Sequence, residues 1–370
     1  MEIFRPYRFD KRLFFSTLIL ITLGLVMVFS ASGVAAAEKY NQPFYFLIHQ
    51  LIGAATGLVV IVIILSIRKP FYQHPVFIFG LLLLTLGLLF LCFMMPSFAK
   101  TNRWVILFGL RFQPSELAKV SLVLFLAWYL DRRKEKIQEL SVLLVPSGVV
   151  FLFVLVILKE PDFGTALLTF ALCAILLFIG GVRLKYFAYL GLLSLPLFAY
   201  YVFSAGYRLD RILAFFSPDK NLQTLNFQVA QSKIALGAGG LLGVSIGESA
   251  QKMFFLPCPH TDFIFAVIGE ELGLIGTLAT LVLFIILIWR GVVISMKAPN
   301  LFSQLAAAGL TLLIAIQALL NITVVLGLGP AKGVPLPLLS FGRSSLITTL
   351  LAIGILLHIS QRKEINRSFG

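Results

Sequence analysis

The chain has 370 residues, of which 59% are hydrophobic and only 12% charged, and its formal net charge is +14. Apolar runs recur from end to end, so the fold class is all-α and polytopic: helices satisfy their own backbone inside a bilayer. The basic excess does not mark a nucleic-acid binder, because the cations lie between apolar runs and read as topology signals and anionic-lipid contacts.

Ten transmembrane spans are predicted, at 13–34, 44–66, 75–95, 114–130, 141–158, 164–181, 185–204, 263–289, 302–326 and 341–359. Several are near the ~20 residues a crossing needs. With the N-terminus inside, more than half of the 30 lysines and arginines fall in inner segments, which places both termini in the cytoplasm. Val34-Ala35-Ala36-Ala37 resembles a signal-peptidase site, but the apolar stretch before it exceeds the usual ~7–15 residues, so the first span is read as retained. One long extracytoplasmic loop, 205–262, precedes span eight. Its alternation from Phe227 to Leu236 predicts a short interfacial helix ending near Gly237. The whole of 1–370 reads as a single membrane domain without an internal repeat. Cys92, Cys173 and Cys258 are scattered, which indicates neither a disulfide framework nor a zinc site.

Ionisable residues collect on the outer face. Asn102-Arg103-Trp104 is followed by Arg111 to Lys119, where Pro114 suits a first helical turn. Glu116 and Lys119 are three apart, share a face of span four and can pair; an isolated pair of this kind is ordinarily structural. Pro161-Asp162-Phe163-Gly164 is turn chemistry, with Asp162 as a cap. Tyr207-Arg208-Leu209-Asp210-Arg211 either holds an anion or anchors span seven at the interface. From Gly327 to Ser345, prolines and glycines break the helix around Lys332, Ser340 and Arg343. Irregular backbone at that depth requires protein cover or a cavity.

Asp262 follows Thr261 at the start of span eight, which is an N-cap position. Four groups of charge and broken helix on one face make it also a candidate for acid–base chemistry. Glu270 and Glu271 lie ~12–14 Å deeper and are expected to be hydrogen-bonded or paired. His260 reads as a loop histidine satisfied by backbone, with acid–base partnership to Asp262 as the alternative.

Together, the stretches Arg111 to Lys119, Pro161 to Thr165, Gln231 to Gly243, Lys252 to Gly276 and Lys332 to Ser345 resemble the SEDS family (shape, elongation, division and sporulation). Its members polymerise lipid II into glycan strands. The likeness runs from span one, including Ser30-Ala31-Ser32, to span ten. Gly327 to Gly333 and Lys252 to Pro257 resemble the division branch more than the elongation branch. Departures are Cys258 for a usual acid, Glu160 for glutamine, Phe341-Gly342-Arg343 for Tyr-Gly-Gly, and Gly329-Pro330-Ala331 for Leu-Pro-Thr.

The resemblance implies a peptidoglycan glycosyltransferase of the bacterial cytoplasmic membrane, acting at the division site. The donor would be a glycan chain or lipid II on undecaprenyl diphosphate, and the acceptor a second lipid II, joined with inversion. Asp262 would be the general base. Arg103, Lys119, Arg208, Arg211, Lys332 and Ser340 would bind substrate, with Glu116 orienting Lys119. The implied partners are a class B penicillin-binding protein transpeptidase and other division proteins. No cofactor is certain; a divalent cation, Mg2+ or Mn2+, would assist the diphosphate, but no metal cage is legible. Two other readings remain open. A lipid II flippase would use Glu270, Glu271 and Lys119 along a path, although the charge sits at one face and no inverted repeat is found. A non-catalytic division scaffold leaves the outer charge without a purpose.

Overall fold

The computed structural model describes residues 9–95, 103–107, 110–204, 206–216, 227–252, 256, 259–330 and 333–367. Seven helices come first: α1 Lys11–Tyr40, α2 Tyr45–Ser66, α3 Pro75–Met94, α4 Pro114–Arg132, α5 Leu140–Lys159, α6 Phe163–Ile179 and α7 Leu184–Phe203. Two short ones follow, α8 Gly206–Phe216 and α9 Phe227–Ala238. The last three are α10 Ile264–Met296, α11 Leu301–Val325 and α12 Arg343–Arg367. Each predicted span therefore has its helix. Eight are long and apolar enough to cross a membrane. Of the other two, α6 has only 17 residues, and α4 carries Glu116, Lys119, Asp131 and Arg132 within its 19.

Local chemistry sets the helix starts. Asp10 caps α1 by accepting from Leu13 N at 3.1 Å, and Asn300 caps α11 through Ser303 N at 2.8 Å. Pro75 and Pro114 occupy first turns, where a missing N–H is no loss. α1 runs unbroken through Val34-Ala35-Ala36-Ala37.

The packing is that of a protein in lipid. Leu83, Val62 and Ile285 are exposed, whereas Gln50, Thr85, Ser121, Gln317 and Asn321 are buried. α4 is buried along most of its length and packs against α3, α11, α6 and α12. A hydroxyl bond at 3.2 Å links Thr85 on α3 to Ser121 on α4. α2 and α12 approach closely because Gly57 faces Leu350: a Cβ on Gly57 would lie 2.2 Å from the leucine Cδ1.

Two features are absent from the sequence reading. A hairpin of β1 Val105–Leu107 and β2 Leu110–Phe112, in register Val105↔Phe112, precedes α4. The second feature is a break in α10 at Gly273, which has φ 66° and ψ −162°. In an unbroken helix Leu274 N and Ile275 N would bond to the carbonyls of Glu270 and Glu271. Here they bond to Gly240 O at 2.9 Å and Leu241 O at 3.3 Å. The two vacated carbonyls accept Val244 N at 3.0 Å and Ser245 N at 3.2 Å. Segment 239–245 thus fills the break group for group, which meets the requirement that freed backbone in an apolar setting find new partners.

Glycine makes this contact possible. A Cβ on Gly239 would lie 1.9 Å from Gly269 O, and one on Gly243 2.1 Å from Glu271 O. The helix expected to end near Gly237 is α9, ending at Ala238. It is not simply interfacial: its continuation docks nine residues into α10, ~13 Å along the axis from Ile264. Leu241 and Leu242 stay exposed at the tip of this re-entrant segment, 69% and 79% respectively.

Candidate functional site

The site lies at the end of the bundle where α4, α6, α10 and α12 begin and α11 ends. Its buried floor is an ion pair on α4. Lys119 Nζ is 2.7 Å from Glu116 Oε1, and the two side chains are 1% and 6% exposed. The second Glu116 oxygen accepts from Gln317 Nε2 at 3.4 Å. One turn further along α11, Asn321 Nδ2 donates to Asp262 O and to Val334 O, both at 2.8 Å. A single helix face therefore braces both the ion pair and the Asp262 segment. Sequence reading missed Gln317 and Asn321; two amides four apart in an apolar helix were the available signal.

Asp262 is not the N-cap of its helix. Phe263 occupies that position, and its side chain makes no capping hydrogen bond. The Asp262 carboxylate instead faces the loop between α11 and α12: a Cβ on Gly333 would come within 3.0 Å of Oδ2. Ser340 holds the two segments together, accepting Leu336 N at 2.8 Å and donating to Thr261 O. Phe341 N adds a bond to His260 O at 2.8 Å. Gln50 on α2 clasps the same loop, donating to Ser340 O at 2.9 Å and accepting Gly342 N at 3.2 Å. The Ser340 hydroxyl is thus committed to backbone. Arg343 begins α12 with its stem beside Gly53 of α2.

The expectation of a backbone-satisfied His260 is corrected. Its ring lies 4.4 Å from that of Phe46 and 5.7 Å from that of Phe341, and its Nδ1 has no hydrogen-bond partner among the described residues. Burial lowers its pKa to about 4, so the ring is neutral at physiological pH.

The turn before α6 forms the opposite side. Asp162 Oδ1 caps α6 through Thr165 N at 3.2 Å, as its position predicts. Asp162 Oδ2 accepts Gln113 Nε2 at 3.3 Å and lies 3.8 Å from Arg103 Nη1. Arg103 also donates to the carbonyls of Glu160 and Pro161. Gln113 N donates to Ser344 Oγ at 3.0 Å, which joins this side to the start of α12. Glu160 is fully buried, and neither of its oxygens meets an N–H or O–H donor among the described residues, the Cys92 thiol being the weak donor beside it. Its pKa is raised to about 8, first by burial and then by the charge of Asp162, against smaller opposing effects of Cys92 and Arg103.

Glu270 and Glu271 have the protein partners expected of them. Glu270 accepts from Ser249 Oγ, from Ala250 N at 3.0 Å and from Gln251 N at 3.3 Å. Glu271 accepts from Ser30 Oγ and pairs with Lys252 Nζ at 2.8 Å. Lys332 and Cys258 lie outside the described residues. Arg208 and Arg211 fall on α8, but their side chains are outside what is described. Among the described residues, no three of His, Cys, Asp or Glu converge as a metal site.

The model of the FtsW/RodA/SpoVE cell cycle protein family matches residues 11–365. The Trichlorobacter lovleyi protein named "Probable peptidoglycan glycosyltransferase FtsW" is 40% identical over 365 residues, covering 96% of this chain and 94% of the relative. Stage V sporulation protein E of Bacillus subtilis is 38% identical, covering 95% and 97%. Among solved structures, a chain of a peptidoglycan synthase complex that coordinates polymerization and crosslinking superposes with a TM-score of 0.78 at 28% identity, covering 96% and 98%. Rod shape determining protein RodA of Thermus thermophilus gives 0.70 at 25% identity, covering 96% and 97%. With the division-type relatives matched over nearly their whole length, the chain belongs to the FtsW/RodA/SpoVE family of cell cycle proteins.

Proposed function

We propose that this protein polymerises lipid II into glycan strands at the outer face of the bacterial cytoplasmic membrane, at the division site, with both termini in the cytoplasm. The reading rests on one observation: Asp262 is held by Asn321 and by the Ser340 loop at the same end of the bundle as the Lys119–Glu116 pair. The names of the relatives and the synthase-complex neighbour support the same chemistry.

In this mechanism the Asp262 carboxylate takes the proton of the acceptor sugar 4-hydroxyl. That oxygen attacks the donor's anomeric carbon from the face opposite the diphosphate. The carbon–oxygen bond to the diphosphate breaks, undecaprenyl diphosphate departs, and the linkage inverts from α to β. Arg103, partly exposed beside Asp162, together with Arg208, Arg211 and Lys332, stabilises the charge that develops on the leaving group. Lys119 is closed to solvent, so it acts as a fixed positive charge behind the site, with Glu116 setting its position. Ser340 positions Asp262 by holding Thr261. A Mg2+ or Mn2+ ion, if bound, would sit on the diphosphate itself and add to the counter-charge that these basic residues supply. Glu270 and Glu271 are occupied by protein partners, which supports a structural role for them over a place on a flippase path. A class B penicillin-binding protein would crosslink the strands as partner, alongside other division proteins.

The deciding experiment is Asp262→Asn, assayed with labelled lipid II and the partner transpeptidase. The amide is nearly isosteric but accepts no proton, so polymerisation falls by about 10²–10⁴-fold. Folding and partner association persist. Activity within a few-fold of wild type removes Asp262 as the base.

A further inference from the structure

At the opposite end of the bundle, a cavity of about 500 Å³ opens between α1 and α10. Phe15 and Ile19 of α1 face Leu283 and Ile286 of α10 across it, with Trp289, Arg290 and Arg12 at its rim. The walls run from Trp289 to Leu283, ~9 Å along the helix, away from the rim and toward the middle of the bilayer. Phe15, Ile19 and Trp289 are 55%, 51% and 66% exposed, so the protein itself leaves this apolar face open.

The rim is positive. Arg290 is offset by Asp10, to which it donates from Nε at 2.9 Å and from Nη2. Arg12 is exposed and has no charged or hydrogen-bonded partner among the described residues. A tryptophan at the rim suits the headgroup level, where its ring lies in an apolar layer and its N–H in a wet one. The groove is therefore cationic at its mouth and apolar along its length.

We propose that this groove is a binding site for an anionic diacyl phospholipid of the phosphatidylglycerol class, its phosphate on Arg12 and its acyl chains between α1 and α10. A partner's membrane helix fits less well. Helices that cross this membrane carry their own lysines and arginines at the cytoplasmic end, where they would meet Arg12 as like charges. The site lies apart from the Asp262 end and does not depend on the chemistry proposed there.

Trp289 is a built-in reporter. The chain has three tryptophans, and a Trp104→Phe, Trp128→Phe background isolates it. The protein in phosphatidylcholine nanodiscs is titrated with brominated phosphatidylglycerol or brominated phosphatidylcholine, and quenching of Trp289 is followed. Phosphatidylglycerol should quench at about fivefold lower mole fraction, the scale of one basic contact. Arg12→Gln, at an exposed position, should remove that preference. Lys11→Gln, a neighbouring exposed cation that does not line the groove, should retain it. Equal quenching by the two lipids in the wild type would mean an unspecific annulus and overturn the proposal. So would a preference that survives Arg12→Gln or is lost equally with Lys11→Gln. Displacement of both lipids alike by the partner transpeptidase would assign the groove to a helix instead.

Discussion

Lys252 and Glu271 offer a quantitative test of how the re-entrant segment is fastened. The ammonium lies 2.8 Å from Oε1, and the side chains are 4% and 0% exposed, so solvent does not screen the pair. Ser30 joins both groups, donating to Glu271 at 2.6 Å and lying 3.1 Å from Lys252 Nζ. Lys252→Met keeps the stem but leaves the Glu271 carboxyl group in the interior without its cation, with Ser30 as hydroxyl donor. Removing one partner of a buried pair costs about 3–5 kcal/mol. At roughly 2 °C per kcal/mol for a large domain, the melting temperature falls by about 6–10 °C. Glu271→Gln should do similar harm by stranding the lysine. The double variant Lys252→Met, Glu271→Gln contains no buried charge at this point, and its amide still accepts from Ser30. It should be more stable than either single variant, because replacing a whole buried pair is often neutral. Thermal unfolding in nanodiscs gives the three values, and protease nicking between residues 239 and 252 reports whether the loss is local. Single variants within about 1 kcal/mol of wild type, or a double variant equal to the sum of the singles, would refute the reasoning.

The glycines of that segment should separate sharply. Gly243→Ala combines φ +82° with a Cβ 2.1 Å from Glu271 O, and should cost at least about 2 kcal/mol. Gly240→Ala, at φ +54° with nothing within 4 Å, should cost only the ~1 kcal/mol backbone penalty; the two melting curves decide. Lys119→Met should keep normal membrane levels and lose most polymerisation in the lipid II assay, whereas Glu116→Gln should be milder. For Glu160 the folded pKa of about 8 lies above the usual carboxylate value, so the folded state holds the proton more tightly. Stability that this group supplies at low pH is lost as pH rises toward 8, and Glu160→Gln should flatten that decline in melts taken from pH 5 to 9.

The ten helices were legible because a bilayer admits few alternatives: an apolar run of sufficient length becomes a helix whatever its neighbours do. Asp162 as a cap and Glu116 with Lys119 as a pair were legible for the same reason, since both depend on spacings of three within one element. Partners from distant segments were not. Nothing local ties Lys252 to Glu271, Gln317 to Glu116, or Asn321 to the carbonyl of Asp262. The break at Gly273 was hidden because glycine is common in apolar helices, where it usually serves close packing. Its signal was distributed: a glycine-rich stretch at 237–247 and another glycine in the span it fills.

Those unread contacts share a geometric consequence. Residues 264–272 form a short half-helix, separated from the lipid-facing remainder of α10 by the break at Gly273. Its far end is fixed by the bonds of segment 239–245 and by the acceptors Glu270 and Glu271. Its near end is fixed through Thr261 and Asp262 by Ser340 and Asn321. A continuous helix from Ile264 to Met296 would transmit every tilt of its exposed half to the carboxylate. With two braces and a break between them, the position of Asp262 is set by α11 and the α11–α12 loop. In the proposed mechanism, that arrangement would keep the Asp262 carboxylate in register with its substrates while the outer surface of the same helix follows the membrane.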